Sequence, residues 1–286
     1  MKKSTWLHLR IPFSFFLAPV FFFAVAMADA SISIEFWLIF VILHLLLYPA
    51  SNGYNSYFDK DEESIGGLKN PPAVSKELHV VSLIFDGLAL SLGLYISWQF
   101  SLMLFIYGLV SKAYSHPSVR LKKMPFLGWL AAGLFQGYFT FLMVVLGVSG
   151  GEFSSVLNTK IQFGGILSTM LLFGSYPMTQ VYQHSEDKRR GDRTISLLLG
   201  VLGTFHFTAA FFGLSVSMFV WYYLTYFTAA EAMIFQLALL PVLVYFFVWY
   251  WKTRKDQANA DFDHTMKLNL LSSCCLNGYF IWLWLS

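Results

Sequence analysis

Four of the 16 acidic residues fall within five positions, at Asp59, Asp61, Glu62 and Glu63. They follow Asn55 at the end of a long apolar stretch. A second polar segment, residues 183–194, follows another apolar stretch and holds Gln183, Glu186, Asp187, Gly191, Arg193 and Thr194. The two are in register: Asn55 and Gln183 lie 128 positions apart, and so do Asp59 and Asp187. Each segment thus carries an amide and, four residues later, an aspartate, the trace an internal repeat would leave. Steps of four advance about 40° around a helix, which would place Asn55, Asp59 and Glu63 on one face, and Gln183 and Asp187 on another. Carboxylates that face each other repel unless a cation lies between them. Oxygen donors with no Cys or His set call for a hard ion, and Mg2+ fits best because it shares carboxylates with waters and phosphate oxygens. The expected metal set is Asn55, Asp59, Glu63, Gln183 and Asp187, with Asp59 and Asp187 as the catalytic pair. Asp61 and Glu62 read as a solvated helix end.

Cations accompany these acids at Lys69, Arg120, Lys122, Lys123 and Arg193. Setting membrane orientation is their plain alternative role. Acids suited to magnesium beside cations, all at one membrane face, suit a diphosphate, which metal and cations together stabilise as a leaving group.

The elements that must position these groups follow from composition. Of 286 residues, 57% are apolar and only 12% are charged, against about 25% charged in an ordinary soluble domain. A soluble enzyme, a disordered chain and a barrel of alternating ten-residue strands are all excluded. A formal net charge of +3 implies no nucleic-acid partner. Hydropathy predicts one all-α, polytopic membrane domain over 1–286, with about nine spans near 12–30, 34–57, 78–97, 99–115, 126–148, 162–184, 194–215, 230–251 and 267–285. Residues 216–229 could form a short tenth helix. The first span reads as a permanent helix, not a signal peptide. With nine spans, only Lys160 of the 19 basic residues lies apart from the others. The positive-inside rule then places the active-site loops and the N-terminus in the cytoplasm and the C-terminus outside. The adjacent Cys274 and Cys275 read as small buried apolar residues.

These motifs resemble those of the UbiA superfamily of intramembrane prenyltransferases. Asn55, Asp59 and Glu63 are similar to its first motif, N-x-x-x-D-x-x-x-D, with glutamate for the last aspartate. Asp187, Gly191, Arg193 and Thr194 match its second, D-x-x-x-D-x-x-x-G-x-R-T, where Gln183 replaces the first aspartate. The segment from Tyr114 through Arg120 to Lys122 is similar to the tyrosine–lysine loop of the branch containing chlorophyll synthase. The resemblance spans essentially the whole chain. It implies a helix bundle around a central cavity, holding a polyprenyl diphosphate with its head at Mg2+ and its tail in an apolar channel. Tyr114, Lys69, Arg120, Lys122 and Arg193 become the diphosphate ligands. Ionisation gives an allylic cation, captured by a lipophilic acceptor within the membrane. Asn52 and His44 continue the face of the first motif inward, and Asp86 is an intramembrane acid; these three are the candidates to meet the acceptor. Interhelical bonding, or pairing of Asp86 with Lys112, is the alternative. Gln183 should weaken metal binding at the second motif, and Gln183→Asp should tighten it.

The rival reading is a non-catalytic or transport-type membrane protein that binds isoprenoid lipid. Transporters normally place ionisable groups near the midplane, whereas these acids cluster at one face. Cyclisation or hydrolysis of the diphosphate without an acceptor is a narrower third reading.

Overall fold

The computed structural model describes residues 2–286. Where lipid offers no partner to backbone N–H and C=O groups, each segment must bond its own, and helices do so. Successive helices are α1 Lys3–Met27, α2 Ile34–Asp59, α3 Glu77–Ile96, α4 Trp98–Ser115, α5 Pro125–Val148, α6 Thr159–Ser175, the short α7 His184–Arg190, α8 Ile195–Tyr226, α9 Ala229–Lys255 and α10 Phe262–Leu285. Seven are long and apolar enough to cross a membrane, all except α4, α6 and α7. The chain is thus an integral, multi-pass helical protein. Six side chains mark helix starts by accepting a backbone N–H of the first turn: Ser33, Ser97, Asn158, Thr194, Thr228 and Asp261. Residues 216–226 continue α8, and a capping box of Thr228 and Glu231 starts α9, so 216–229 forms no separate helix. Cys274, expected to be buried, is exposed on α10.

Contacts between helix ends sort the loops. At one end, Glu77 Oε1 accepts from the Lys2 backbone at 2.5 Å and Lys69 pairs with Asp263 at 2.5 Å. Glu186 there accepts from the backbones of Glu62 and Glu63 at 3.0 and 3.3 Å. At the other end, Trp284 Nε1 donates to Ala30 O at 2.6 Å and Tyr222 to Lys160 O at 3.0 Å. The basic loops therefore gather at the end holding the N-terminus, and Lys160 lies opposite.

Four irregular turns shape the interior. Arg10 adopts a left-handed conformation (φ 48°) and interrupts α1. A π turn at Ile42–Leu47 precedes Pro49, whose ring and missing N–H disrupt regular α bonding. Another π turn, Phe135–Phe139, frees the Tyr138 N–H, which donates to Thr169 Oγ1 at 2.8 Å. Gly137 permits that crossing, since a Cβ there would lie 2.6 Å from Thr169 Cα. Pro177 ends regular α6, and the chain continues as a 3-10 turn over Tyr176–Gln183.

Far from the basic end, aromatic rings fill the bundle. Phe23 stacks on Phe280 with centroids 4.6 Å apart, Phe219 on Phe235 at 4.5 Å, and Phe23 meets Phe219 at 5.4 Å. All four are buried, and such pairs add to plain area burial through ring geometry.

Candidate active site

At the basic end, α2, the 3-10 turn after α6, α7 and the loop 116–124 enclose a basin of about 230 Å³. Helix α2 stops at Asp59 because Lys60 turns left-handed (φ 49°). The Asp59 side chain is only 2% exposed, and Lys122 Nζ lies 2.7 Å from its Oδ1. Arg120 approaches the same oxygen at 3.8 Å. Asn55 Nδ2 donates to Asp59 Oδ2 and to Ser115 Oγ, each at 2.7 Å. The one-turn step from Asn55 to Asp59 thus works as expected.

Asp192 faces Asp59 from the second segment, with its side chain 1% exposed. It contacts Arg120 at 3.0 Å and Lys122 at 3.2 Å, with Lys123 at 3.9 Å. Nearby, Thr194 donates to Asp187 Oδ2 at 3.0 Å while accepting from Leu197 N to start α8. The hydroxyls of Tyr114 and Tyr176 bond to each other, and Gln180 Nε2 donates to Tyr176 at 3.2 Å. Arg10 gives its Nη groups to the carbonyls of Gly66 and Asn52 at 3.2 and 3.3 Å, and its Nε is buried without a partner.

The acids are under electrostatic load. Burial, then the charge of Asp59, pushes the Asp61 carboxyl up to about 6. Burial raises Asp187 to about 6 as well; the Thr194 bond and Lys122 oppose this, while Asp192 and Asp61 add to it. Burial works against the Lys122 ammonium, but Asp59 and Asp192 outweigh it and hold its pKa above the ordinary lysine value. Crowded, oxygen-only, partly suppressed carboxylates fit a hard divalent cation. Among the described residues no three Asp, Glu, His or Cys side chains converge as a ready metal cage.

Of the residues expected from sequence, Asn55, Asp59, Gln183, Asp187, Tyr114, Lys122 and Asn52 line the basin, and Arg120 is bound into it through Asp59 and Asp192. Gln183 lies there in an unexpected role: its Nε2 donates to Ser64 O at 3.1 Å and ties down the loop after α2. Moreover Gln183 and Asp187 share no helix face, because the 3-10 turn ends between them.

Others fall elsewhere. Glu63 is not on the face of Asn55 and Asp59, since α2 has already ended; it pairs with Arg189 and accepts from Ser185 at 2.9 Å. Lys69 is 56% exposed and committed to Asp263. Arg193 points outward, while its neighbour Asp192 points in. Asp86 pairs with Lys112 at 2.5 Å, the alternative weighed for it, and does not line the cavity. His44 is buried against Phe40, whose carbonyl lies 3.0 Å from its Nδ1.

Sequence reasoning missed Asp61, Glu186, Asp192, Arg10 and Gln136, all of which line the basin. For Asp61 the crowding of four acids was a signal, but the continuous-helix assumption turned it outward. For Gln136 and Arg10 there was none, since each depends on an irregular turn.

Beneath the basin lies an apolar chamber of about 430 Å³ between α1, α6, α8, α9 and α10. Ser51, Asn52, Tyr107, Gln136, Tyr176 and Thr179 line both spaces and form their junction.

Fold and site together define a multi-pass helical membrane protein with a buried acid–base basin above an apolar chamber. The chain belongs to the UbiA prenyltransferase family, whose sequence profile matches residues 16–271. Its fold is similar to a UbiA homologue from Archaeoglobus fulgidus bound to DMAPP and Mg2+, at 18% identity and TM-score 0.71, covering 98% of this chain and 99% of that one. It is also similar to the apo UbiA homologue from Aeropyrum pernix K1, at 17% identity and TM-score 0.72, covering 95% and 98%. A third likeness is to the A. fulgidus homologue bound to GPP and Mg2+, at 17% identity and TM-score 0.68, covering 99% and 100%. At these identities the likeness is one of fold. No curated protein matches the sequence.

Proposed function

We propose that the protein transfers a polyprenyl group from a prenyl diphosphate to a lipophilic acceptor within the membrane, with Mg2+ as cofactor. The observation that carries this reading is the continuity of a buried acid–base basin with an apolar chamber. One ligand with an anionic head and a hydrocarbon tail fills both. The ligands of the A. fulgidus homologue, DMAPP and GPP with Mg2+, have that chemistry.

Asp59, Asp187 and Asp61 would hold the ion, with the amide oxygen of Asn55 beside them. Bound there, the ion supplies charge neutralisation of the departing diphosphate. Lys122 and Arg120, now on carboxylates, are placed to turn to the phosphoryl oxygens and stabilise the same developing charge. The Tyr114 and Tyr176 hydroxyls border the junction where the allylic C–O bond breaks. The apolar chamber keeps water from the allylic cation until the acceptor attacks. The bundle's basic end is the cytoplasmic one, by the positive-inside rule, which puts the C-terminus outside.

One observation favours the non-catalytic alternative: Gln183 serves a structural bond where the resembling motif has an acid. Incubating the purified protein with labelled geranyl diphosphate and membrane lipid extract separates the two. A prenylated product, identified by mass and dependent on Mg2+, supports transfer; tight binding with no product supports the alternative.

A further inference from the structure

A chamber built only for a hydrocarbon tail has no use for free polar groups, because a buried amide or hydroxyl without a partner is costly. Several hydroxyls here avoid that cost locally, although the buried Tyr48 hydroxyl does not. Ser168 donates to Gly164 O at 3.0 Å, Thr208 to Gly174 O at 2.9 Å and Thr179 to Tyr176 O at 2.7 Å. Three groups on α10 make no such bond, with Ser273 buried and Asn269 and Ser272 half-buried. Asn269 and, one turn on, the adjacent Ser272 and Ser273 line the chamber, and none has a side-chain hydrogen bond among the described residues. Ser273 is only 4% exposed. One turn further, Asn277 is 5% exposed with both side-chain polar atoms unpartnered. At the junction, the Ser51 hydroxyl is likewise buried without a partner.

The chamber lining contains no Asp, Glu, Lys, Arg or His. A carboxylate or phosphate bound against α10 would therefore be buried with no countercharge. Amides and hydroxyls, in contrast, both donate and accept.

Building on the transferase reading, we propose that Asn269, Ser272 and Ser273 form the recognition site for the acceptor, and that the acceptor presents uncharged hydroxyl or carbonyl groups to it. The tail and the acceptor share the chamber. The tail lies along the apolar walls of α1, α8 and α9, and the acceptor's polar edge lies on α10. Of the three acceptor candidates expected from sequence, Asn52 lines the chamber from α2, whereas His44 and Asp86 do not reach it.

Two labelled probes that differ by one carboxylate test this: 1-naphthol and 1-hydroxy-2-naphthoate, bound at equilibrium to the full chain in nanodiscs, with empty nanodiscs subtracted. The expected result is saturable naphthol binding, with the carboxylate at least about tenfold weaker. Asn269→Leu and Ser273→Val should each weaken naphthol binding by about three- to tenfold. Both variants should leave the affinity for an unreactive thio-analogue of geranyl diphosphate unchanged, which also shows that they are folded. Equal or tighter carboxylate binding, no saturable naphthol binding, or naphthol binding indifferent to both substitutions would overturn the proposal. Failure of the unaltered protein to bind the thio-analogue would count instead against the transferase reading.

Discussion

Lys122 links two buried carboxylates from opposite halves of the chain, lying 2.7 Å from Asp59 and 3.2 Å from Asp192. Asp192 thus holds Lys122 and Arg120 where a diphosphate would meet them. Asp192→Asn is expected to weaken a diphosphate analogue about tenfold in titration calorimetry. In a Lys122→Met background the same change should cost much less. Equal losses in both backgrounds would mean that Asp192 acts on folding and not through the cations.

Asp59→Ala removes the most buried acid of the first motif and the principal partner of Lys122. Turnover should fall at least about thirtyfold, corresponding to roughly 2–3 kcal/mol of lost transition-state stabilisation. In the unaltered protein, EDTA should abolish tight binding of the diphosphate analogue. Undiminished affinity in EDTA would rule out the metal.

Gln183→Asp now carries the opposite expectation to the one its motif position gave. The Gln183 amide donates to Ser64 O, and a carboxylate has no proton to give. The substitution also adds a negative charge beside acids already pushed up, chiefly by burial. Turnover should drop about fivefold or more, and protease cleavage within 60–76 should quicken. Improved turnover at low Mg2+ would restore the metal-ligand reading of this position.

The raised carboxyl of Asp61 makes a pH prediction. Its folded value of about 6 lies above the ordinary aspartate range, so its ionisation opposes folding as pH rises through that window. Asp61→Asn should therefore raise the melting temperature at pH 7.5 in EDTA, by about 2–4 °C. At pH 4 the gain should vanish, because the native carboxyl is then protonated. A gain that persists at pH 4 would assign the effect to something other than charge.

Reporter fusions test the sidedness. A fusion at Ser286 and one within 252–265 should report opposite sides of the membrane, with the latter cytoplasmic. The same side for both would break the alternating arrangement.

Hydropathy and spacing located the bundle and much of the basin, because Asn55, Asp59 and Asp187 sit on or beside regular helices whose ends the composition marks. The misplacements share one cause. Spacing arguments assume that a helix continues, and α2 ends at Asp59 through a left-handed lysine, a conformation with no dedicated residue type. Glu63 therefore swings outward and Asp61 inward. The 3-10 turn after Pro177 likewise separates Gln183 from Asp187. Asp192 and Arg193 are adjacent charged residues, and only the left-handed Gly191 before them decides which is buried.

Phe23, Phe219 and Phe280 follow the chamber residues Val20, Val216 and Leu276 by about one turn, and Phe235 stacks on Phe219. They give the chamber a floor, and a floor makes it a gauge. A prenyl chain held by its head at Asp59, as proposed, would extend only until its last isoprene unit met those rings. A longer one must fold back on itself or leave sideways between helices. On the transferase reading, the length of isoprenoid accepted would be set by four aromatic side chains at the opposite end of the molecule from the chemistry.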